Sequence, residues 1–231
     1  MKYSELLGIR PGITSVIGSG GKTSLLSRLA DELPGTVILT TTTHIFPFTG
    51  IPLIECGEDL AGDLLTVRKA LMKERVLCIG KKDPHKSGKL TPPSFPIRKL
   101  LPLADYILAE ADGSKRMPVK AHEKYEPVIP EGSGFTINVV GASGIGKPVS
   151  EYCHRPHIFC RLTGASPEDL ISPALLHKAL TSEGLGDLIF INQCDTLNEN
   201  DREALLSEFS HSQIPVFYGS LMDHEDGLGL T

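Results

Sequence analysis

The sequence lacks long apolar runs. No stretch approaches the roughly 20 consecutive apolar residues that a membrane-spanning helix needs, and the first residues, MKYSELLGIR, contain no apolar segment like that of a signal peptide. Internal repeats and low-complexity tracts are also missing. We therefore expect a cytoplasmic protein that has no membrane as its partner.

Basic residues are not in surplus, and no C-x-x-C pair occurs. The formal net charge is −5 and the pI is near 5.9, whereas domains that bind nucleic acid usually carry a basic patch, so we expect no nucleic-acid partner. The five cysteines are scattered and odd in number, which favours free thiols in a reducing compartment. The segment Cys153-His154-x-x-His157-x-x-Cys160 has the residue types of a zinc site. Because Pro156 is expected to start a helix and leave the first two outside it, we expect no zinc there.

With 231 residues, of which 40% are hydrophobic, the chain can bury one substantial core. Predicted strands alternate with predicted helices, which indicates a mainly parallel sheet. We therefore predict one α/β domain over residues 1–231, three-layered, with helices on both faces of the sheet. Apolar runs predict strands near residues 13–17, 37–40, 76–79, 105–109, 136–140, 188–191 and 215–218. Leucine spacing and start and stop signals predict helices at residues 3–7, 22–33, 59–73, 97–101, 156–162, 172–181 and 199–209, and another that begins at 166–169. The long segment 80–96 is predicted to be a functional lid or a mobile insertion.

One stretch, ITSVIGSGGKTSLL at residues 13–26, says most about function. A strand, a glycine cluster and a helix follow one another, which is the order found at nucleotide-binding loops. Glycines let backbone N–H groups approach phosphate oxygens, Lys22 would neutralise phosphate charge, and the Thr23 hydroxyl would ligate Mg²⁺. The domain predicted over residues 1–231 is therefore nucleotide-binding and P-loop NTPase-like. The residues predicted to bind the nucleotide here are Gly18, Ser19, Gly20, Gly21, Lys22, Thr23 and Ser24.

We call residues 18–23 the phosphate loop. Its spacing, G-x-x-G-K-T, is shorter than the usual G-x-x-x-x-G-K-[ST], because Val16 stands where the usual pattern has glycine. The shorter form resembles the loop of Mur-ligase-type P-loop proteins. The alternative is a glycine-rich turn that opens an ordinary helix.

Acidic and basic residues follow the strand predicted at 105–109. Glu110 and Asp112 stand at the Walker B position, where a carboxylate holds Mg²⁺ directly or through water. Because they are two residues apart, strand alternation would aim both at one side. Lys115, with Arg116 and Lys120, could neutralise transition-state charge or could form a surface ion-pair network. The acids themselves could instead be solvated residues of a turn.

Threonines occupy residues 40–43, at the end of the strand predicted at 37–40. Ligands of open α/β sheets lie beyond the carboxyl ends of the strands, so this run should face the phosphate loop. The predicted metal ligands are Thr23, Thr42, Glu110 and Asp112. The predicted catalytic residues are Lys22, Glu110, Asp112 and Lys115.

A third motif ends the strand predicted at 188–191, where LIFINQCD contains Asn192-x-x-Asp195. In GTPases an N-K-x-D motif at a strand end reads guanine, with the aspartate accepting from the base and the asparagine bracing the loop. Gln193 replaces the lysine here. We predict that Asn192 and Asp195 bind the base and favour guanine over adenine; the alternative is a plain Asn/Asp turn.

Together these motifs resemble the YqeC family of selenium-dependent hydroxylase accessory proteins. The resemblance rests on VIGSGGKTSLL, LTTTTHIF, AEADGSKRMPVKAHEKYEPVIP, GASGIGKPVSEYCHRP and LTGASPEDLISPALL, which are spread over nearly the whole chain. The family is associated with maturation of selenium-dependent molybdenum hydroxylases. The resemblance therefore implies a P-loop fold and an accessory role, with a molybdenum hydroxylase or its cofactor-maturation proteins as partners, but it implies no particular reaction.

Three functions are compatible with these residues. The first is an NTPase that binds GTP or ATP with Mg²⁺ and hydrolyses or transfers the γ-phosphate during hydroxylase maturation. The second is an ATP-dependent ligase or kinase, in which the basic segment near Lys115 seats a small anionic substrate. The third is a nucleotide-gated binding module without turnover.

Overall fold

The structure is a computed structural model that describes residues 2–85 and 88–222. A nine-stranded, mainly parallel sheet lies at its centre. Its strands are β1 Gly12–Gly18, β2 Val37–Thr41, β3 Leu53–Glu55, β4 Val76–Lys82, β5 Leu90–Thr91, β6 Tyr106–Glu110, β8 Ser133–Gly141, β10 Leu188–Asn192 and β11 Val216–Tyr218. A separate pair consists of β7 Val119–Lys120 and β9 Cys153–His154. The α-helices are α1 Tyr3–Leu6, α2 Lys22–Glu32, α3 Leu60–Leu71, α4 Val149–Tyr152, α5 Pro156–Thr163, α6 Pro173–Glu183 and α7 Glu199–Phe209, and short 3₁₀ turns lie at Ile97–Leu100, Ala142–Gly144 and Cys194–Thr196.

The sheet order is β11-β10-β8-β1-β6-β2-β4-β3, and β5 is antiparallel to β4. From β1 the chain first builds one half of the sheet, returns to insert β6 beside β1, and then builds the other half from β8 onward. The crossover direction therefore changes next to β1. Open α/β sheets bind ligands at such a point, beyond the carboxyl ends of the strands.

Helices cover both faces of the sheet, as predicted, because successive strand residues point to opposite sides. One face carries Val16, Leu39 and Leu108, which belong to the same apolar cluster as the leucines of α2. The other face is covered in two parts. Ile38 and Ile107 cluster with Val67 of α3. The β8–β11 half clusters with residues of α5, α6 and α7, among them Phe159, Leu176 and Leu205.

The predicted strands and helices are confirmed to within three residues at their ends, with one exception. The helix predicted to begin at residues 166–169 is wrong. The Asp169 carboxylate accepts from the Ser166 N–H at 2.8 Å, which closes a turn, and Ile171 then bonds to the backbone of Lys147. Because Pro173 follows at the start of α6, the residue before it is biased toward extended backbone and a helix cannot run through.

The segment predicted as a lid is partly a hairpin. Strand β4 extends to Lys82, and β5 pairs back onto it through Thr91 and Leu90. Residues 86 and 87 lie outside the described residues, as do residues 223–231. Within the described ranges, no helix has both the length and the apolar character needed to cross a bilayer.

Candidate functional site

The phosphate loop packs closely against the ends of neighbouring strands. At Gly20, φ is 78°, and a Cβ there would collide with the backbone of Gly141 at the end of β8. At Gly21, φ is 130°, and a Cβ there would collide with the side-chain amide of Asn192. Only glycine therefore allows this conformation and this approach.

The backbone N–H groups of the loop fall into two sets. The Gly18 N–H donates to Asp112 Oδ2 at 2.8 Å, and the Ser19 N–H donates to the Val139 carbonyl at 2.8 Å. The N–H groups of residues 20–24 have no acceptor within the described parts of the chain. They open α2, where unpaired N–H groups and the helix dipole favour an anion. These five amides are the ones that a phosphate group could use.

Lys22 begins α2 and is buried, which lysine seldom tolerates without partners. Its Nζ lies 2.7 Å from Asp112 Oδ1 and 3.7 Å from Glu110 Oε1. It also donates to the Gly18 carbonyl at 2.7 Å and contacts the Ser114 hydroxyl at 3.3 Å. The lysine of the loop thus points at the strand end that carries both predicted acids.

Asp112 is the centre of a buried group of charges. Its Oδ2 accepts from Lys120 Nζ at 3.0 Å and lies 2.8 Å from His122 Nε2. Burial would raise the pKa of this carboxyl, but the hydrogen bond from His122 and the charges of Lys22 and Lys120 outweigh burial and hold the pKa below its usual range. Asp112 is therefore ionised.

His122 connects Asp112 to α6. Its Nδ1 lies 2.9 Å from Glu183 Oε2, and its backbone N–H donates to the same carboxylate. Burial lowers the pKa of the imidazole, but the hydrogen bonds to Asp112 and Glu183 raise it above its ordinary value. Both ring nitrogens then donate, as in an imidazolium. Glu183 is not predictable as a site residue from the sequence, because no motif surrounds it.

The basic residues after β6 separate into buried and exposed ones. Lys120 is fully buried and is not a surface residue: its Nζ donates to the Gly113 carbonyl at 2.7 Å and lies 3.4 Å from Glu126 Oε2, besides contacting Asp112. Lys115, predicted to be catalytic, is exposed, and no hydrogen bond or ion pair joins it to another described residue. Lys115 thus lies outside the buried group of charges.

Glu110 and Thr23 form the more accessible part of the site. Thr23 Oγ1 donates to Glu110 Oε2 at 3.0 Å, and Thr23 is exposed. Burial raises the pKa of Glu110, although the charge of Lys22 and the hydrogen bond from Thr23 oppose this. The Thr42 N–H donates to the Glu110 carbonyl at 3.0 Å, and the buried Thr42 hydroxyl has no hydrogen-bond partner among the described residues.

Glu110 and Thr23 carry oxygen atoms of the kind that could hold a magnesium ion if a nucleotide supplied the remaining ligands. In the part of the chain that the structure describes, no group of three or more His, Cys, Asp and Glu side chains could hold a metal ion. Mg²⁺ usually takes one or two carboxylates and completes its shell with waters and phosphate oxygens. The Glu110 carboxylate and the Thr23 hydroxyl, 3.0 Å apart, suit that requirement, whereas the oxygens of Asp112 already face three cations.

The two residues of the third motif that are predicted to bind the base lie in different environments. Asn192 is buried, its Nδ2 donates to the Gly20 carbonyl at 2.7 Å, and its Oδ1 accepts from the Leu221 N–H at 3.0 Å. It therefore braces the phosphate loop. Asp195 is exposed and has no partner among the described residues. Gln193, which replaces the lysine of N-K-x-D, accepts from the Ser143 hydroxyl at 2.6 Å.

Comparison with known proteins gives one family and one curated relative. The family model described as "YqeC protein" matches residues 14–157, a range that holds the phosphate loop, both acids, Lys120 and His122. The "Uncharacterized protein YqeC" of Escherichia coli (strain K12) is 37% identical over 166 residues, which are 69% of this chain and 63% of that protein. The chain thus spans 63% of the length of this relative. No solved structure matches the chain.

Proposed function

The chain belongs to the YqeC family, and we propose that it is a P-loop NTPase that binds GTP or ATP with Mg²⁺. The observation that carries the proposal is the position of Lys22. Lys22 belongs to the stretch 20–24, whose amides have no acceptor among the described residues, and its Nζ lies 3.7 Å from Glu110, which accepts from Thr23. Amides, an ammonium group and a metal-binding acid are the groups that hold and activate a nucleoside triphosphate.

The topology supports this assignment. Strand β1, which leads into the phosphate loop, pairs directly with β6, and Val16 is in register with Glu110. The loop and the acids therefore meet at the same edge of the sheet, where the crossover direction changes. A nucleotide there would lie across the ends of β1 and β6.

The buried charges give Lys22 freedom to move. Its Nζ now contacts Asp112 and the Gly18 carbonyl, and rotation of its flexible side chain would carry it to the phosphates. Asp112 would remain paired, because Lys120 and His122 stay in contact with its Oδ2. A single cation beside this carboxylate would leave a buried charge unpaired each time the lysine moved, at a cost of several kcal/mol.

The two acids take different roles in this proposal. Glu110, with the hydroxyls of Thr23 and Thr42, would hold Mg²⁺, which when bound neutralises charge on the β- and γ-phosphates. Glu110 would then favour its ionised form, since a nearby cation opposes the effect of burial. Asp112 would position the loop through the Gly18 N–H rather than ligate the metal.

Calorimetric titration of the protein with GTP and with ATP, each with Mg²⁺, tests the proposal. We expect saturable binding. Lys22→Ala should weaken it about 10-fold or more, because it removes the charge-assisted contact between the lysine and the phosphates. Thr23→Ala removes an exposed hydroxyl and its hydrogen bond to Glu110 but leaves the buried Lys22 in place, so it tests the site if Lys22→Ala folds poorly. It should weaken the dependence on Mg²⁺. Lys73→Ala, at an exposed lysine, is the matched control. If neither GTP nor ATP binds, or if all variants bind as tightly as wild type, the proposal is refuted.

We extend the proposal to the role that the family resemblance implies, maturation of a selenium-dependent molybdenum hydroxylase in the cytoplasm. The nucleotide cycle would time the delivery or insertion of a cofactor component. Hydroxylase activity in cells that lack this chain tests the extension. Activity should be lost and should return with the wild-type chain but not with Lys22→Ala; undiminished activity without the chain would contradict it.

A further inference from the structure

Three cations, two on the loop after β6 and one next to β5, have no acidic partner within the described ranges. Lys89, Lys115 and Arg116 form no ion pair with any described residue. Their neighbours on β4 behave differently, because Lys82 pairs with Glu55 at 2.9 Å and Lys81 lies 3.9 Å from Glu58. The charges of Lys89, Lys115 and Arg116 are therefore available to an anionic ligand.

Two of these cations converge on one exposed aromatic ring. Lys89 Nζ lies 5.1 Å and Arg116 Cζ 5.6 Å from the ring centroid of Phe46, which is 49% exposed. A bridge between Ile45 and Leu90 holds the two segments together. Cation–π contacts at exposed positions contribute only about 0.5–1 kcal/mol, so they orient the cations without satisfying their charge. We call Phe46, Lys89 and Arg116 the aromatic-basic patch.

The loop after β6 connects the patch to the proposed nucleotide site. Ser114, whose hydroxyl contacts Lys22 Nζ at 3.3 Å, stands two residues before Arg116. A Cβ placed on Gly113 would lie 3.9 Å from Thr43 Oγ1, so the loop after β6 runs beside the end of β2. Lys115 and Arg116 both have left-handed backbone, with φ of 50° and 62°. That conformation costs non-glycine residues about 1–2 kcal/mol each, and here it directs Arg116 toward Phe46.

We propose that the aromatic-basic patch binds the oxyanion of a second substrate, a small phosphorylated or carboxylated molecule, next to the γ-phosphate. This inference rests on the proposed function and makes the protein a phosphotransferase or ligase. An oxygen of the bound anion attacks the γ-phosphorus, the bond to the bridging oxygen breaks, and its electron pair leaves with the nucleoside diphosphate. Arg116 offers a planar, multidentate donor set for such an anion, and Lys89 adds a point charge.

Anion binding to the nucleotide-loaded protein tests the inference. The protein is saturated with Mg²⁺ and a non-hydrolysable triphosphate and titrated with inorganic phosphate in one arm and acetate in the other. We expect saturable binding in at least one arm, and the stronger arm identifies the class of oxyanion. Arg116→Ala and Lys89→Ala should each weaken it about 10-fold, and Arg116→Lys should restore part of the loss. The nucleotide affinity should change less than about 2-fold, and Lys73→Ala should match wild type.

The outcomes separate this inference from the proposed function. Nucleotide binding without saturable binding of either anion overturns the patch and leaves the NTPase proposal standing. Equal anion binding by wild type, Arg116→Ala and Lys89→Ala also overturns it, since the anion then binds elsewhere. If no nucleotide binds, the proposed function fails, and with it the role of the patch in phosphoryl transfer.

Discussion

Two strand ends meet the phosphate loop, and they use their acidic residues in opposite ways. After β6, Asp112 is buried and surrounded by three cationic side chains. After β10, Asp195 is exposed and has no partner among the described residues, while the buried Asn192 holds the loop. The first strand end supports the loop with charge, and the second supports it with a neutral amide.

This difference indicates which of the two aspartates, Asp112 or Asp195, could contact a ligand. A buried carboxylate with three cations is committed to its neighbours, and removing its charge leaves those cations uncompensated. An exposed carboxylate at a strand end is solvated, so its removal costs the fold little. Replacing each aspartate by asparagine keeps the side-chain shape and compares the two environments directly.

The largest effect is expected for Asp112→Asn. Lys22, Lys120 and His122 would lose their shared anion inside the protein, which we expect to lower the free energy of unfolding by about 3–5 kcal/mol. Urea denaturation at pH 7 measures it. Because the folded pKa of Asp112 lies below its ordinary value, its contribution is present above that ordinary value and is lost as the pH falls through the folded pKa. A loss below about 1 kcal/mol at pH 7 would contradict the buried network.

His122→Gln should have the next largest effect, and its size should depend on pH. The folded pKa of His122 is raised above 6.5, so its contribution is full below that value and is lost as the pH rises through the folded pKa. We expect a loss of about 1.5–3 kcal/mol near pH 6, the range for hydrogen bonds to charged groups. Urea denaturation of both proteins from acidic to alkaline pH tests this. A difference that stays constant across that range would show that His122 is not held as an imidazolium between Asp112 and Glu183.

At the other strand end, Asn192→Ala should cost less. It removes one hydrogen bond to Gly20 and one from Leu221, so we expect a loss of about 1–2 kcal/mol. The loosened loop should also bind nucleotide several-fold more weakly. Denaturation and a fluorescent-nucleotide titration measure the two effects. Asn200→Ala, at an exposed asparagine of α7, is the control. If both variants had the same stability and the same nucleotide affinity, Asn192 would not hold the phosphate loop in place.

The sequence predicts the long elements well because their patterns are local. Buried parallel strands such as β6 and β10 are continuous apolar runs, and α3 has a helical period with an Asp59 cap. Strands β3, β7 and β9 have only two or three residues and escape prediction, because so short a segment shows no periodicity. Their partners are also distant, since Lys120 pairs with His154.

The site shows the same limit. Motif spacing predicts that Lys22, Glu110 and Asp112 come together, because the carboxyl ends of parallel strands share one edge. It does not predict that Asp112 faces three cations while Glu110 faces Thr23, since that depends on which way each side chain turns after the strand ends. Glu183 reaches His122 from 61 residues away, and only the packing of α6 brings them together.

The smallest effect on the fold is expected for Asp195→Asn. This variant tests whether the residues after β10 bind the nucleotide base. Because Asp195 is exposed, the free energy of unfolding of the variant should stay within about 0.5 kcal/mol of that of the wild type. If its carboxylate accepts from a guanine base, the variant should lose affinity for GTP and gain affinity for XTP, since an amide donor complements the carbonyl that xanthine carries instead. Competition between the two nucleotides against a fluorescent analogue measures the change. If the variant is as stable as wild type and its preference for GTP over XTP is unchanged, Asp195 does not bind guanine. Asn192, which holds the phosphate loop, would then be the only one of the two residues with a role in the site.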